Sequence, residues 1–342
     1  MQIWQTIKQP PWRIIVAGFL LLLIFCLAYL AWSPGLDVLD GRHDRERNAI
    51  WISHGWLGSD AWFIRNAKTN EYSRYRDPSS IRNLVDKLRR HHITNVFPHL
   101  CPAESDGHLP KVDAAQTERF LDVLDGFRVM PGIGGPNGSS VRLRNARWRS
   151  TFASEVSNLL LAHPRFSGVH LNVEPLASGE TNFLVFLEEL RSSLPPGKLL
   201  SVAAYPPPTR WHPYNDLHWE QNYFREVARR CDQLAVMMYD VGQRVPKMYQ
   251  WLMADWTQEV LVWSEDKPVL LGVPTYDDFG VEYHHPDVEN LTNALLGVHR
   301  GLSRQALPGS YQGVAIYCDW ETSETEWTYF ENHFLDGKQR TP

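Results

Sequence analysis

Residues 167–174 read Ser-Gly-Val-His-Leu-Asn-Val-Glu. In a strand, successive side chains point to opposite faces, so His170, Asn172 and Glu174 share one face while Val169, Leu171 and Val173 share the other. The apolar face suits packing against helices. The polar face needs an enclosed but not fully dry environment, and the lumen of a closed parallel barrel supplies one, with Glu174 nearest the mouth. Seven further runs of similar length lie on either side. They are AIWISHGWL from Ala49, ITNVFPHL from Ile93, FRVMPGIGG from Phe127, LLSVAAYPPP from Leu199, QLAVMMYDV from Gln233, PVLLGVPTYD from Pro268 and GVAIYCDWE from Gly313. Each is short, largely apolar and closed by Gly, Pro or polar residues, as strands covered on both faces are.

Between these runs the apolar period changes from two to about 3.6. SSIRNLVDKLRRHH places Ile81, Leu84, Val85 and Leu88 on one helical face, and Ser323 to Glu326 form a capping-box pattern before the last helix. Eight strand–helix units in this order predict a (β/α)8 TIM barrel over residues 49–336, followed by a short tail at 337–342. An open doubly wound sheet is the alternative, but it seldom runs to so many regular units. Active sites of such barrels lie at the C-terminal ends of the strands. Here those ends carry His54, Trp56, Glu174, Tyr205, Tyr239, Asp240, Tyr276, Tyr317 and Trp320, with Asp277, Asp278, Asp319 and Glu321 close by.

From Ile14 to Trp32 the chain has 19 residues without a charge, which as a helix span about 28 Å, near the thickness of bilayer hydrocarbon. A cleavable signal peptide has a shorter apolar core and small residues before the cut, whereas this segment ends Ala-Tyr-Leu-Ala-Trp. The expectation is an uncleaved anchor at 1–33, a linker at 34–48 and a single-pass protein whose barrel is periplasmic, extracellular or lumenal. The Lys/Arg distribution on either side does not fix the orientation. The 342 residues carry 34 basic and 39 acidic side chains mixed along the chain, and no basic stripe points to nucleic acid. Cys26, Cys101, Cys231 and Cys318 show no paired spacing, so neither a disulfide framework nor a zinc site is expected. His54, His99 and His170 likewise lack ligand spacing, and no metal or cofactor is expected.

The chemistry centres on Glu174. A carboxyl group inside a barrel mouth is partly desolvated, which raises its pKa and suits it to general acid catalysis. Strand four resembles the D-G-x-D-x-D-x-E motif of family-18 chitinases and related endoglycosidases. Gly132-Ile-Gly-Gly135 resembles their S-x-G-G, Met237-Met-Tyr-Asp240 their M-x-Y-D, and Gly272-Val-Pro-Thr-Tyr276 their G-x-P-x-Y. The resemblance covers the barrel from about Ala49 to Phe334. It implies retaining hydrolysis in which the sugar's own 2-acetamido carbonyl attacks C1, the recognised exception to two-carboxylate catalysis. In that scheme Glu174 protonates the leaving oxygen, Asn172 holds the acetamido N–H and Tyr239 donates to its carbonyl.

Where the motif has aspartates, this chain has Ser167, His170 and Asn172. The Asn-x-Glu is similar to that of family-85 endo-β-N-acetylglucosaminidases, in which Asn serves the same mechanism. His54, Trp56, His170, Tyr205, Trp211, Asp240, Tyr276, Tyr317 and Trp320 are the expected glycan contacts, with Tyr214 and Trp219 as further platform residues in the Trp211 loop. Two other readings remain. One is a sugar-binding barrel without activity; the other is a two-carboxylate glycosidase pairing Glu174 with Asp277, Asp278, Asp319 or Glu321.

Overall fold

A computed structural model describes residues 11–209, 217–280 and 282–335. The chain divides into two units, Met1–Pro34 and Gly35–Pro342. The described part of the first is one helix, α1 (Pro11–Ala31). Its residues Ile14–Ala31 have a mean hydropathy of 2.9 and none is buried. The helix is long and apolar enough to cross a bilayer.

The second unit is the expected (β/α)8 barrel. Its parallel strands are β1 (Asn48–Ile52), β2 (Ile93–Pro98), β3 (Arg128–Val129), β4 (Gly132–Pro136), β5 (Gly168–Glu174), β6 (Leu199–Ala204), β7 (Gln233–Val236), β8 (Val269–Pro274) and β9 (Tyr311–Tyr317). The ninth strand arises because β3 and β4 are two halves of one stave. They are interrupted at Pro131, which has no N–H to give to the ladder. The first half pairs with β2 and the second with β5, and His99 bridges to Gly132, so the ring closes through this stave.

A helix follows each stave: α3 (Pro78–Arg90), α4 (Ala114–Val123), α5 (Ala146–Ala162), α6 (Thr181–Ser193), α7 (Gln221–Ala228), α8 (Pro246–Trp263), α9 (Leu291–Leu302) and α10 (Glu324–His333). A short extra helix, α2 (Ala61–Arg65), sits in the loop after β1. In α3 the buried residues are Ile81, Leu84, Val85 and Leu88, and Asp77 caps its N-terminus by accepting from the Ser80 N–H. In α10 both halves of the Ser323–Glu326 capping box form. These contacts satisfy backbone donors that the helix itself leaves free.

Strand alternation divides the interior in two. Val169, Leu171 and Val173 join the large cluster between strands and helices. Ala49, Trp51, Phe97, Met130, Ala235, Leu270 and Ala315 fill the lumen. His170 rises from that apolar plug, stacked on Phe97 at 4.0 Å between ring centres, with Nδ1 2.9 Å from Ser201 Oγ. Burial drives its pKa down to about 3, so the ring is neutral.

The stretch expected as a linker lies against α9 and β9. Leu36 N–H donates to Leu296, Tyr311 Oη donates to the His43 carbonyl, and Val38 and His43 are buried. The four cysteines are free thiols, buried at Cys231 and Cys318, partly exposed at Cys101 and exposed at Cys26.

Gly134 sets how closely β4 approaches β5 at the site. Its φ is +117°, and a Cβ there would stand 2.0 Å from the Asn172 carbonyl oxygen. Gly134→Ala should therefore lose at least about 1–3 kcal/mol of stability from backbone strain, with further loss from the clash. Urea unfolding of the variant measures this, and an unchanged midpoint would contradict the account.

Candidate active site

Glu174 ends β5 with Asn172 two residues before it on the same lumen face. Asn172 Nδ2 donates to Glu174 Oε1 at 2.6 Å. Burial is the main influence on the Glu174 carboxyl and pushes its pKa up. The Asn172 hydrogen bond opposes this, the nearby Asp240 charge adds to it, and the Tyr205 hydroxyl opposes it again. The net effect is upward, as a general acid requires. Asn172 Oδ1 is buried with no protein partner.

Cavities open on both sides of this pair. One, of about 270 Å³, is lined by Glu174, Tyr205, Met237, Tyr239, Asp240 and Tyr283, among others. The other, of about 720 Å³, includes Asn172, Trp51, His54, Trp62, Tyr317 and Trp320 in its walls. The strand-end aromatics form one continuous array. Tyr239 stacks on Tyr317 at 5.6 Å, and Tyr317 meets Trp51, Tyr276 and Trp320 edge-on at 5.2–5.7 Å. Burial, first among several causes, holds the Tyr239 hydroxyl well above its ordinary pKa, so it is a neutral donor.

Several expected site residues are thus brought together: Glu174, Asn172, Tyr239, Tyr205, Asp240, His54, Tyr317 and Trp320 line one cavity or the other, and His170 forms the floor of the larger. Others are not. Trp56 is a core side chain, packed on Phe120 and edge-on to Tyr75. Trp219 is also buried, its Nε1 donating to the Leu176 carbonyl. Trp56 follows β1 and Trp219 precedes α7, and both rings are part of the hydrophobic core. Tyr276 lines neither cavity; its hydroxyl donates to Asp240 from behind. Trp211 and Tyr214 lie outside the described residues.

Trp62 and Trp51, outside the expected set of contacts, also line the larger cavity. Trp62 sits on α2, and the length of the segment between β1 and α3 was the available signal, since long βα loops at this end of a barrel build sites. Trp51 alternates in phase with the polar Ser53 and belongs to the lumen for that reason.

Asp240 follows β7 with φ of +62°, a left-handed conformation that aspartate tolerates better than most residues. Behind it lies a buried ionic network. His284 Nε2 is 3.1 Å from the Tyr276 carbonyl, and Nδ1 is 3.1 Å from Asp240 and 3.8 Å from Glu289. The carbonyl and the two carboxyl groups around the ring favour its protonated form. Burial opposes that charge, but the Asp240 hydrogen bond and the charges of Asp240 and Glu289 outweigh it and raise the pKa of His284. Glu289 accepts from the Val241 and Gln243 N–H groups, yet burial takes its pKa up to about 7. Asp240, His284 and Glu289 have ligand atoms within 4.8 Å of one another, as do His54, His99 and Cys101.

No family model matches the chain, and no curated protein matches it in sequence. Solved structures do match. A fungal endo-β-N-acetylglucosaminidase of glycosyl hydrolase family 18 is 13% identical, with a TM-score of 0.54 over 85% of this chain and 99% of that one. A GH18 chitinase from Pseudoalteromonas aurantia is 16% identical, with a TM-score of 0.53 over 82% and 98%. The spore cortex-lytic enzyme SleL of Bacillus cereus is 12% identical, with a TM-score of 0.53 over 84% and 75%. At such identities the likeness establishes the shared barrel fold.

The His284–Glu289 network makes stability depend on pH. Glu289 titrates near 7 when folded, against an ordinary 4.5, so the folded state binds more protons in that window and stability falls as pH rises through it. His284, with its pKa raised, loses stability in the same direction. Glu289→Gln should flatten the decline in thermal midpoint between about pH 5 and 7. An equally steep decline in the variant would show that other groups are responsible.

Proposed function

We propose that the chain is a membrane-anchored, retaining glycoside hydrolase that cleaves glycans at a 2-acetamido sugar, with Glu174 as its acid. The carrying observation is the Asn172–Glu174 pair. Asn172 donates an N–H to the carboxyl and keeps a buried carbonyl oxygen with no protein partner. That oxygen is an acceptor suited to an acetamido N–H. With the amide so held, its carbonyl oxygen attacks C1 while Glu174 protonates the glycosidic oxygen. The C1–O bond breaks and a cyclic oxazolinium forms. Glu174, now a carboxylate, takes a proton from water, which attacks C1 and reopens the ring with retention. Tyr239 lines the same cavity as Glu174 and would donate to the acetamido carbonyl, orienting it for attack on C1.

Two of the barrels that share the fold are glycosidases by name, a chitinase and an endo-β-N-acetylglucosaminidase, which supports the same substrate class. The two-carboxylate alternative has less support. Asp277 and Asp278 are exposed, neither they nor Asp319 line either cavity, and Glu321 is engaged by Trp320 Nε1 and the Asp277 N–H. The carboxyl that shares the cavity of Glu174 is Asp240, already bound to Tyr276 and His284.

Glu174→Gln should lower kcat on the order of 10²–10⁴-fold with ligand affinity retained. Asn172→Ala should lose about 10²-fold through misplacement of the reacting amide, while Asn172→Asp keeps an acceptor and retains turnover. The substrate screen runs over chitin oligomers, peptidoglycan and N-glycans, with a thiazoline analogue of the cyclised intermediate as inhibitor. Equal hydrolysis of a plain 2-hydroxy sugar, indifferent to the thiazoline, would move the assignment to two carboxylates. Binding without cleavage in the wild type would make this a sugar-binding barrel.

The anchor rests on the apolar stretch Ile14–Ala31 and on Tyr29, which occupies a place where a signal-peptide cut needs a small residue. The mature protein should stay with membranes through a carbonate wash and retain its N-terminal peptide. A soluble product beginning near Trp32 would mean a cleaved signal instead.

A further inference from the structure

His54 and Cys101 are 47 positions apart, and no motif joins them with His99. The barrel does. His54 extends from the end of β1, and His99 and Cys101 alternate just past the end of β2, its parallel neighbour. The ligand atoms of all three lie within 4.8 Å of one another, with His54 Nε2 3.9 Å from Cys101 Sγ. A tetrahedral zinc ion sets nitrogen and sulfur ligands roughly 3.3–3.6 Å apart, so small side-chain rotations suffice.

The rings are held in place by their neighbours. His54 stacks on Trp62 at 4.4 Å and 9°, and His99 meets Trp320 edge-on at 5.0 Å. Two imidazoles and a thiolate favour a borderline-soft cation over magnesium or calcium, which take oxygen ligands. All three residues line the larger cavity, so a fourth position would open into it.

We propose that His54, His99 and Cys101 form a Zn²⁺ site, with three protein ligands and one position open to the cavity for water or a ligand oxygen. On binding, the Cys101 S–H bond breaks, its electron pair forms the S–Zn bond, and one proton leaves to solvent. The His54 Nε2 proton, now shared with the Cys101 carbonyl at 3.0 Å, gives way to the metal as the neutral ring changes to its Nδ1–H tautomer. This site does not depend on the glycosidase reading.

The test uses the full chain in detergent, stripped with a chelator, dialysed and titrated with Zn²⁺ by calorimetry in two buffers of different ionisation enthalpy. The expected result is one ion per chain with release of about one proton. Co²⁺ in place of Zn²⁺ should give a near-ultraviolet thiolate-to-metal band that disappears in Cys101→Ser and persists in Cys26→Ser and Cys231→Ser. Absence of stoichiometric uptake, or a band that survives Cys101→Ser, overturns the proposal. Should Cys101→Ser fail to fold by circular dichroism, His54→Gln and His99→Gln decide. Each is expected to weaken Zn²⁺ binding at least about tenfold, and unchanged affinity in both overturns the proposal as well.

Discussion

The hydrogen bond from Asn172 to Glu174 joins two side chains two residues apart on one strand, and that spacing works only if the strand's polar face looks into an enclosed space. The closed barrel provides the enclosure, and the apolar plug of Trp51, Phe97, Met130 and Leu270 seals it from below. With the lumen filled, polar groups on β5 can emerge only at the mouth. The glycine at 134 completes the arrangement by letting the adjacent stave come within backbone contact of Asn172. Strand closure, lumen packing and the placement of the carboxyl are therefore one constraint seen at three levels.

Charge at the mouth is arranged in depth. Burial pushes the pKa of Glu174 up, while Asp240 beside it lies 3.1 Å from His284, whose pKa is raised. Two carboxyl groups in one cavity would otherwise compete for a proton. Here burial acts on Glu174, while Asp240 is engaged by Tyr276 and lies beside His284. The left-handed backbone at Asp240 turns its side chain towards Tyr276 and His284 instead of leaving it along the strand.

Much of this was legible in the sequence because it is local. The alternation in 167–174 fixed the faces of β5, and helical periodicity over 78–90 fixed the buried stripe of α3. What escaped was whatever depends on how loops fold back. Trp56 stands just past β1 and Trp219 just before α7, where an aromatic could face a ligand or turn inward, and nothing local distinguishes the two. The split at Pro131 was invisible for a different reason, since the β3–β4 stave keeps its direction across the break. His284 and Glu289 come from the segment after β8 and reach Asp240 only through the fold.

The partnerless oxygen of Asn172 has a consequence for selectivity. A buried acceptor of this kind ordinarily takes its hydrogen bond from water when no ligand is bound. A ligand that offers an N–H replaces that water bond for bond. One that fills the same volume without a donor expels the water and leaves the oxygen bare, at about 1–3 kcal/mol, or roughly ten- to a hundredfold in affinity. Discrimination of this kind works by rejection: the penalty falls on the near-isostere, and the right ligand needs no additional attraction. A site built this way can afford broad apolar walls of tryptophan and tyrosine, because a single unmet acceptor already screens what may rest against them.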